Sequence, residues 1–128
     1  MARLTQPTDS TDGSQGRKGS NRPRAAKFSI VHAPELAVHL QAIDRKHHTM
    51  IRRTIREWLE YEPDTTTRNR KPLRQPAAFD EAWEIRFGPA NRLRVFYRVD
   101  RSRLEVHVLA VGIKEGNVLR ISGREFQL

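Results

Sequence analysis

A chain of 128 residues with 24 Lys and Arg against 15 Asp and Glu, a formal charge of +9 and a pI near 11.0 has room for one ordinary domain and calls for an acidic partner, nucleic acid ahead of anionic membrane. The absence of cysteine excludes a disulfide framework and thiolate chemistry. No run approaches the roughly 18 apolar residues of a spanning helix, so no membrane partner is expected.

Residues 1–26 stand apart. Thr5 to Ser20 is rich in Ser, Thr, Gly, Gln and Asp, and Arg17, Lys18, Arg22 and Arg24 make the end of the stretch basic. Such a composition buries too little apolar surface to offset the entropy of ordering. The expectation is a disordered basic arm over 1–26 and a folded domain over 27–128. Two roles for the arm stay open: added phosphate affinity, or a solvated leader. It lacks the contiguous apolar stretch of a secretory signal, and the protein is expected to be cytoplasmic.

From Lys27 the pattern changes. Phe28, Ser29, Ile30, Val31 and His32 alternate and are β-branched enough for a strand. Pro34 suits a first helical position and Glu35 the first turn, and Leu36, Leu40 and Ile43 follow at i, i+4, i+7. Ile51, Ile55, Trp58 and Leu59 mark a second, longer helix, with Asp44 as a cap between the two. Pro63 ends that helix by disfavouring the α conformation at Glu62. Asp64 to Pro76 reads as a polar loop carrying Arg68, Arg70, Lys71 and Arg74.

Trp83 to Asp100 reads as a β-hairpin turning at Gly88-Pro89-Ala90-Asn91. By the period of two, Trp83, Ile85 and Phe87 share one side with Leu93, Val95, Tyr97 and Val99. Glu84, Arg86, Arg92, Arg94, Phe96 and Arg98 take the other. Between Glu84 and Arg103 six arginines face two acids, Glu84 and Asp100, a surface suited to a polyanion. The last clear strand is Leu104 to Val111, with Leu104, Val106, Val108 and Ala110 on its core side, and a short tail begins at Gly112. The order β-α-α-β-β-β predicts a two-layer α+β domain: a helical hairpin on one face of a mostly antiparallel four-stranded sheet, the arginines on the open face.

Trp58 and Trp83 fall on apolar stripes and are expected in the core, as is Tyr97. Phe96, on the arginine side, is the candidate to stack on a base, a contact worth about 1–3 kcal/mol. His32, His39, His47, His48 and His107 show no metal-ligand spacing, and neither a phosphate-cradling glycine loop nor an internal repeat occurs. No metal and no cofactor is expected.

The helical pair, the basic loop, Arg94-Val95-Phe96-Tyr97 and then Leu109-Ala110-Val111-Gly112-Ile113-Lys114-Glu115 resemble, in that order, the RelE/ParE superfamily of type II toxins over about Phe28 to Arg120. For members similar to RelE the resemblance implies a small ribonuclease that cuts messenger RNA in the ribosomal decoding site. For members similar to ParE it implies inhibition of DNA gyrase without catalysis. A basic RNA-binding module that blocks translation is a further alternative. In each toxin class a cognate antitoxin holds the protein inactive, and the basic face implies that its segment is acidic.

Metal-free RNA cleavage needs a base for the 2′-hydroxyl, cations for the phosphorane and a donor for the leaving oxygen. The resemblance places Arg86, Arg94 and Lys114 at catalytic cationic positions. Glu84 stands where RelE-like toxins have a lysine, and Arg120 where they have a C-terminal tyrosine. Glu84 is then either the base or a charge partner of an arginine. Arg68, Arg70, Lys71, Arg74, Arg92, Phe96, Arg98 and Arg120 are the candidate RNA-binding residues.

Overall fold

The computed structural model describes residues 26–74 and 79–127; the expected arm lies outside them, apart from its last residue. The described chain is α+β. Strand β1 (Ser29–His32) leads to α1 (Leu36–Gln41), a 3₁₀ turn (Arg45–His47) and α2 (His48–Leu59). Then come β2 (Arg70–Pro72), β3 (Trp83–Phe87), β4 (Leu93–Asp100), β5 (Glu105–Glu115), β6 (Val118–Ile121) and β7 (Arg124–Glu125). The strands form one sheet in the order β2-β3-β4-β5-β6-β7, antiparallel throughout, with β1 added parallel to β5. The expected sheet of four strands is therefore a sheet of seven. The three additions, β2, β6 and β7, are too short to show an alternation of their own, and pairing with a neighbour defines them.

Helix positions follow the apolar spacing. Leu36, Ile43, Ile51, Ile55 and Leu59 are buried against Ile85, Phe87, Leu93, Val95, Tyr97, Val106, Val108 and Val111. Asp44 accepts from the Lys46 amide at 3.0 Å and caps the 3₁₀ turn. Helix α2 stops at Leu59, ahead of Pro63; the Glu60 carbonyl accepts from the Phe28 amide, so the entry of β1 is tied to the exit of α2. Tyr97 donates its hydroxyl to the Pro63 carbonyl at 2.7 Å, and burial pushes its phenol far up, which keeps it a proton-bearing structural group. Trp83 packs against this core with its ring 6.3 Å from that of Tyr97.

Strand β5 carries a bulge that the alternation conceals. Tyr97 is opposite Val108 and Phe96 opposite Ala110, so Leu109 is the extra residue. Parity reverses there: Val106 and Val108 face the helices before the bulge, Val111 and Ile113 after it. Ala110 consequently lies on the opposite face, not in the helix-side core. Leu104 also departs from expectation. It sits in the turn before β5 with φ 53° and is 38% exposed.

The second face is not open throughout. Phe96 is fully buried with Ala110 and Ile121, and Leu73, Phe79, Leu119 and Phe126 pack over them. The Phe79 ring stacks on Phe96 and on Phe126, each at 5.4 Å. Complete burial of one such ring contributes about 1.5–3 kcal/mol. Chain on either side of the hairpin thus folds back to roof half of the face expected to hold arginines, and Phe96 is a core residue that no base can reach.

The outer edge of β5 is shared, with β1 along Glu105–Val108 and β6 along Gly112–Glu115. In the gap, the Val111 amide donates to Nδ1 of His39 on α1 at 3.3 Å. Desolvation lowers the pKa of His39 below 6.5, and a proton on Nδ1 would abolish the acceptor. Since the unfolded chain takes up this proton first, the contribution is complete above pH 6.5 and is lost as pH falls toward the folded value. Urea unfolding at pH 7.5 and 5.5 is expected to show lower stability at the acid pH, and His39→Gln, which keeps an acceptor without a titrating ring, is expected to flatten that difference.

Candidate functional site

The uncovered half of the second face is organised by the pairing of β3, β4 and β5. Arg86 is directly opposite Arg94, and Arg94 is opposite Gly112. Glu84 is opposite Phe96, one step back along the same face. Like charges directly opposed destabilise a sheet, so Arg94 turns diagonally: its Nη1 donates to Glu84 Oε2 at 2.9 Å and its Nε to the Asn91 carbonyl at 3.1 Å. The side chains of Arg94 and Glu84 are only 12% and 5% exposed.

The β3–β4 connection holds that carbonyl in place. Ala90 and Asn91 both have φ 54°, a left-handed conformation that Asn tolerates and Ala adopts at some cost. Asn69 braces the turn, donating through Nδ2 to the Arg86 carbonyl at 2.7 Å and to Asn91 Oδ1 at 3.3 Å. Arg92 and Lys114 are linked twice, the Lys114 amide donating to the Arg92 carbonyl at 2.8 Å and the Arg92 side-chain Nε to the Lys114 carbonyl at 3.0 Å. Gly112 completes the floor. A Cβ there would stand 2.7 Å from the Arg120 carbonyl oxygen, so only glycine lets β6 lie this close.

Two cavities adjoin across Arg94 and Lys114. One, of about 270 Å³, is lined by both cations with Glu84, Leu119, Glu125 and Phe126 among its walls. The other, of about 330 Å³, places the same cations beside Arg92, Asn91 and Gly116. Of the residues expected to act together, Glu84, Arg94 and Lys114 meet in one cavity, Arg92 joins from the next, and Arg86 is the cross-strand neighbour of Arg94. Lys71 is opposite Glu84 at the exposed edge.

The other expected binding residues lie elsewhere. Arg70 is opposite Ile85 and so on the helix side, where its Nη1 donates to the Glu62 carbonyl. Arg120 is opposite Ile113, also on the helix side of the sheet, and pairs with Glu115 at 3.0 Å. Arg98 shares the face of Arg94 but is separated from it by the aromatic stack, and donates to the Asp80 carbonyl at 3.0 Å. Arg68 and Arg74 are exposed at either end of β2. Conversely, Asn91, Glu125 and Gln127 line the cavities without having been singled out by sequence. Among the described residues no group of His, Cys, Asp and Glu is arranged to hold a metal ion.

No family model and no curated protein matches this sequence. Solved structures do. The RelBE2 toxin–antitoxin complex of Mycobacterium tuberculosis contains a chain that is 19% identical, with a TM-score of 0.57 over 71% of this chain and 95% of that one. The archaeal RelE–RelB complex of Pyrococcus horikoshii contains one that is 19% identical, with a TM-score of 0.50 over 66% and 92%. The chain therefore has the RelE-like toxin fold.

The Glu84–Arg94 geometry has a measurable consequence. Removing one partner of a desolvated pair strands the other charge, at a cost of about 3 kcal/mol. Glu84→Ala is expected to lower unfolding stability by about that amount, and Glu84→Gln, which still accepts from Arg94, by clearly less. Equal midpoints for parent and Glu84→Ala in denaturant titrations would contradict the pairing.

Proposed function

We propose that this chain is the toxin of a toxin–antitoxin pair and that it cleaves messenger RNA on the ribosome without a metal. The observation that carries the reading is the convergence of Arg94 and Lys114, flanked by Arg86 and Arg92, on two adjoining cavities of a RelE-like fold. Arg94 is held by Glu84 and by the Asn91 carbonyl before any substrate arrives, and preorganised cations are what a developing phosphorane requires. Arginine adds a fork that meets two phosphate oxygens. With Phe96 buried, the face supplies cations but no open aromatic platform, so alignment of the RNA falls to a second body. The ribosome supplies it.

A second reading has its own observation. Glu84 is committed to Arg94 and almost inaccessible, so it is a charge partner whose carboxylate is shielded from substrate. A protein that only binds needs the cations and no base, as in a ParE-like gyrase inhibitor or an RNA-binding block to translation. Expression in cells, with protein synthesis, DNA synthesis and transcript ends followed together, separates these. Loss of translation with new ends inside codons supports cleavage; DNA breaks with intact transcripts point to gyrase.

The structure changes the choice of mutant. Arg94→Ala would strand Glu84, confounding loss of function with loss of stability, whereas Arg94→Lys keeps the counter-charge and loses the fork. Arg94→Lys is expected to retain near-parental stability and to lose about 10²-fold in cleavage, the lower part of the range for one oxyanion-stabilising group. Parental cleavage by this variant would remove Arg94 from the reaction.

The partner in this reading is an antitoxin with an acidic amphipathic segment. A groove of about 600 Å³ between β1 and α2 has Phe28, Ile30 and Ile55 in its lining, with Lys27, Arg52 and Arg56 around them against one acid, Glu60, and it contains none of the cleavage residues. Its composition fits apolar anchors flanked by carboxylates. Arg52→Glu with Arg56→Glu is expected to slow association with the antitoxin and to reduce its salt dependence, since steering rests on these charges. Stopped-flow rates across a salt series, unchanged from the parent, would place the contact elsewhere.

A further inference from the structure

We infer that Asn69 is a positioning residue of the proposed cleavage: it fixes the turn that aims Arg94, an inference that rests on that reading and adds to it a residue acting through another. A cation stabilises a developing phosphorane only from the right place, and an error of about 1 Å can cost about 10²-fold in rate. Arg94 is held at two atoms, its Nη1 donating to Glu84 and its Nε to the Asn91 carbonyl at 3.1 Å. The first contact alone lets the guanidinium swing about Nη1. The second fixes its plane, so the aim of Arg94 is as good as the placement of the Asn91 peptide.

That peptide does not hold itself. Left-handed residues such as Ala90 and Asn91 persist only where the surroundings over-determine them. Within the connection the Asn91 amide donates to the Gly88 carbonyl at 3.0 Å and the Arg92 amide to the Pro89 carbonyl at 3.1 Å, which tightens the turn without fixing how it leans on the sheet. Among the described residues, one side chain from outside the hairpin hydrogen-bonds to the turn: Asn69, whose Nδ2 donates to Asn91 Oδ1 at 3.3 Å and to the Arg86 carbonyl at 2.7 Å. The turn is steadied from the opposite strand by the main chain of Lys114.

Asn69 is itself clamped. Its carbonyl accepts from the Arg86 amide at 2.9 Å, so one residue holds both polar groups of the Arg86 main chain. The next residue opens β2 opposite Ile85, and the main chains of Arg70 and Thr67 exchange hydrogen bonds at 2.9 and 3.3 Å. Arg86 and Arg94 are directly opposed and repel. Asn69 grips the strand of the first and, through Asn91, the side chain of the second, which sets their separation. A neutral amide does this without adding a charge that would compete with phosphate for either arginine, and an aspartate of the same shape would lack both donors.

Two measurements test this. The first follows the Nε–Hε group of Arg94 by nitrogen-15 relaxation and hydrogen exchange. It is expected to be ordered and slow to exchange in the parent, and in Asn69→Ala to approach the behaviour of the exposed Arg103 with circular dichroism unchanged; Asn69→Ser, which can still donate one hydrogen bond, is expected to lie between. A parental Arg94 as mobile as Arg103, or an Arg94 as ordered in Asn69→Ala as in the parent, would overturn the inference whatever the protein does to RNA. The second is single-turnover cleavage of a defined messenger RNA on purified ribosomes. Asn69→Ala is expected to lower the rate by about 10²-fold with ribosome affinity unchanged, yet to add no more than a few-fold to the loss in Arg94→Lys, which has no Nε to place. A residue that only stabilised the fold would act alike in both backgrounds, so losses that multiply in the double variant would also overturn the inference. A parent that leaves transcripts intact on ribosomes would overturn the ribonuclease reading, and the first measurement would still decide what aims Arg94.

Discussion

The site and the core both depend on the register of β5. This strand pairs with β4 along Glu105–Ile113 and with β1 and β6 in succession along its outer side, so any slip in it would move side chains on both faces at once. The single extra residue, Leu109, is what lets one strand serve two cores. Before it, Val106 and Val108 seal the helices; after it, Ala110 seals the aromatic roof while Gly112 and Lys114 form the floor and wall of the cationic cavities. The cost is an unpaired stretch of outer edge, and His39 from α1 satisfies its Val111 amide.

Charge on the second face is handled by confinement. Arg86 opposite Arg94 is an unfavourable pairing that the fold retains, and the buried carboxylate of Glu84 offsets it from below. That arrangement reduces local repulsion without lending Arg94 to solvent, leaving it rigid and aimed. The same interaction occupies Glu84, so this carboxylate is a fixed part of the sheet face and not a free surface acid.

Much of this was legible in the sequence, for physical reasons that differ by residue. The hairpin from Trp83 to Asp100 declares itself because one of its faces is fully buried and alternation is enforced there; the helices do so through Leu36, Ile51, Ile55 and Leu59. The meeting of Glu84, Arg94 and Lys114 follows once that hairpin is paired with the next strand. The bulge was hidden because Leu109-Ala110-Val111 is uniformly apolar, and a change of parity inside such a run leaves no trace. Phe96 was misplaced because its cover comes from Phe79 and Phe126, single aromatics outside any periodic segment. Arg70 and Arg120 were grouped with the site on charge alone, although pairing opposite Ile85 and Ile113 turns them to the other face. Strand β7 carries no signal, since a strand of two residues has no pattern to read.

The parallel pairing of β1 with β5 also sets an order of assembly. Ser29 lies beside Glu105, 76 positions further along the chain (105 − 29), and contacts of such separation form late because the intervening chain must first be constrained. During synthesis β1 and the two helices emerge with their apolar faces exposed and wait for β5. The cavity lined by Arg94 and Lys114 is complete only once β6 and the residues around β7 have joined the sheet. The groove between β1 and α2 and the cationic cavities on the second face are thus both completed by residues from Glu105 onward, and neither exists as a binding surface until β5 is in register.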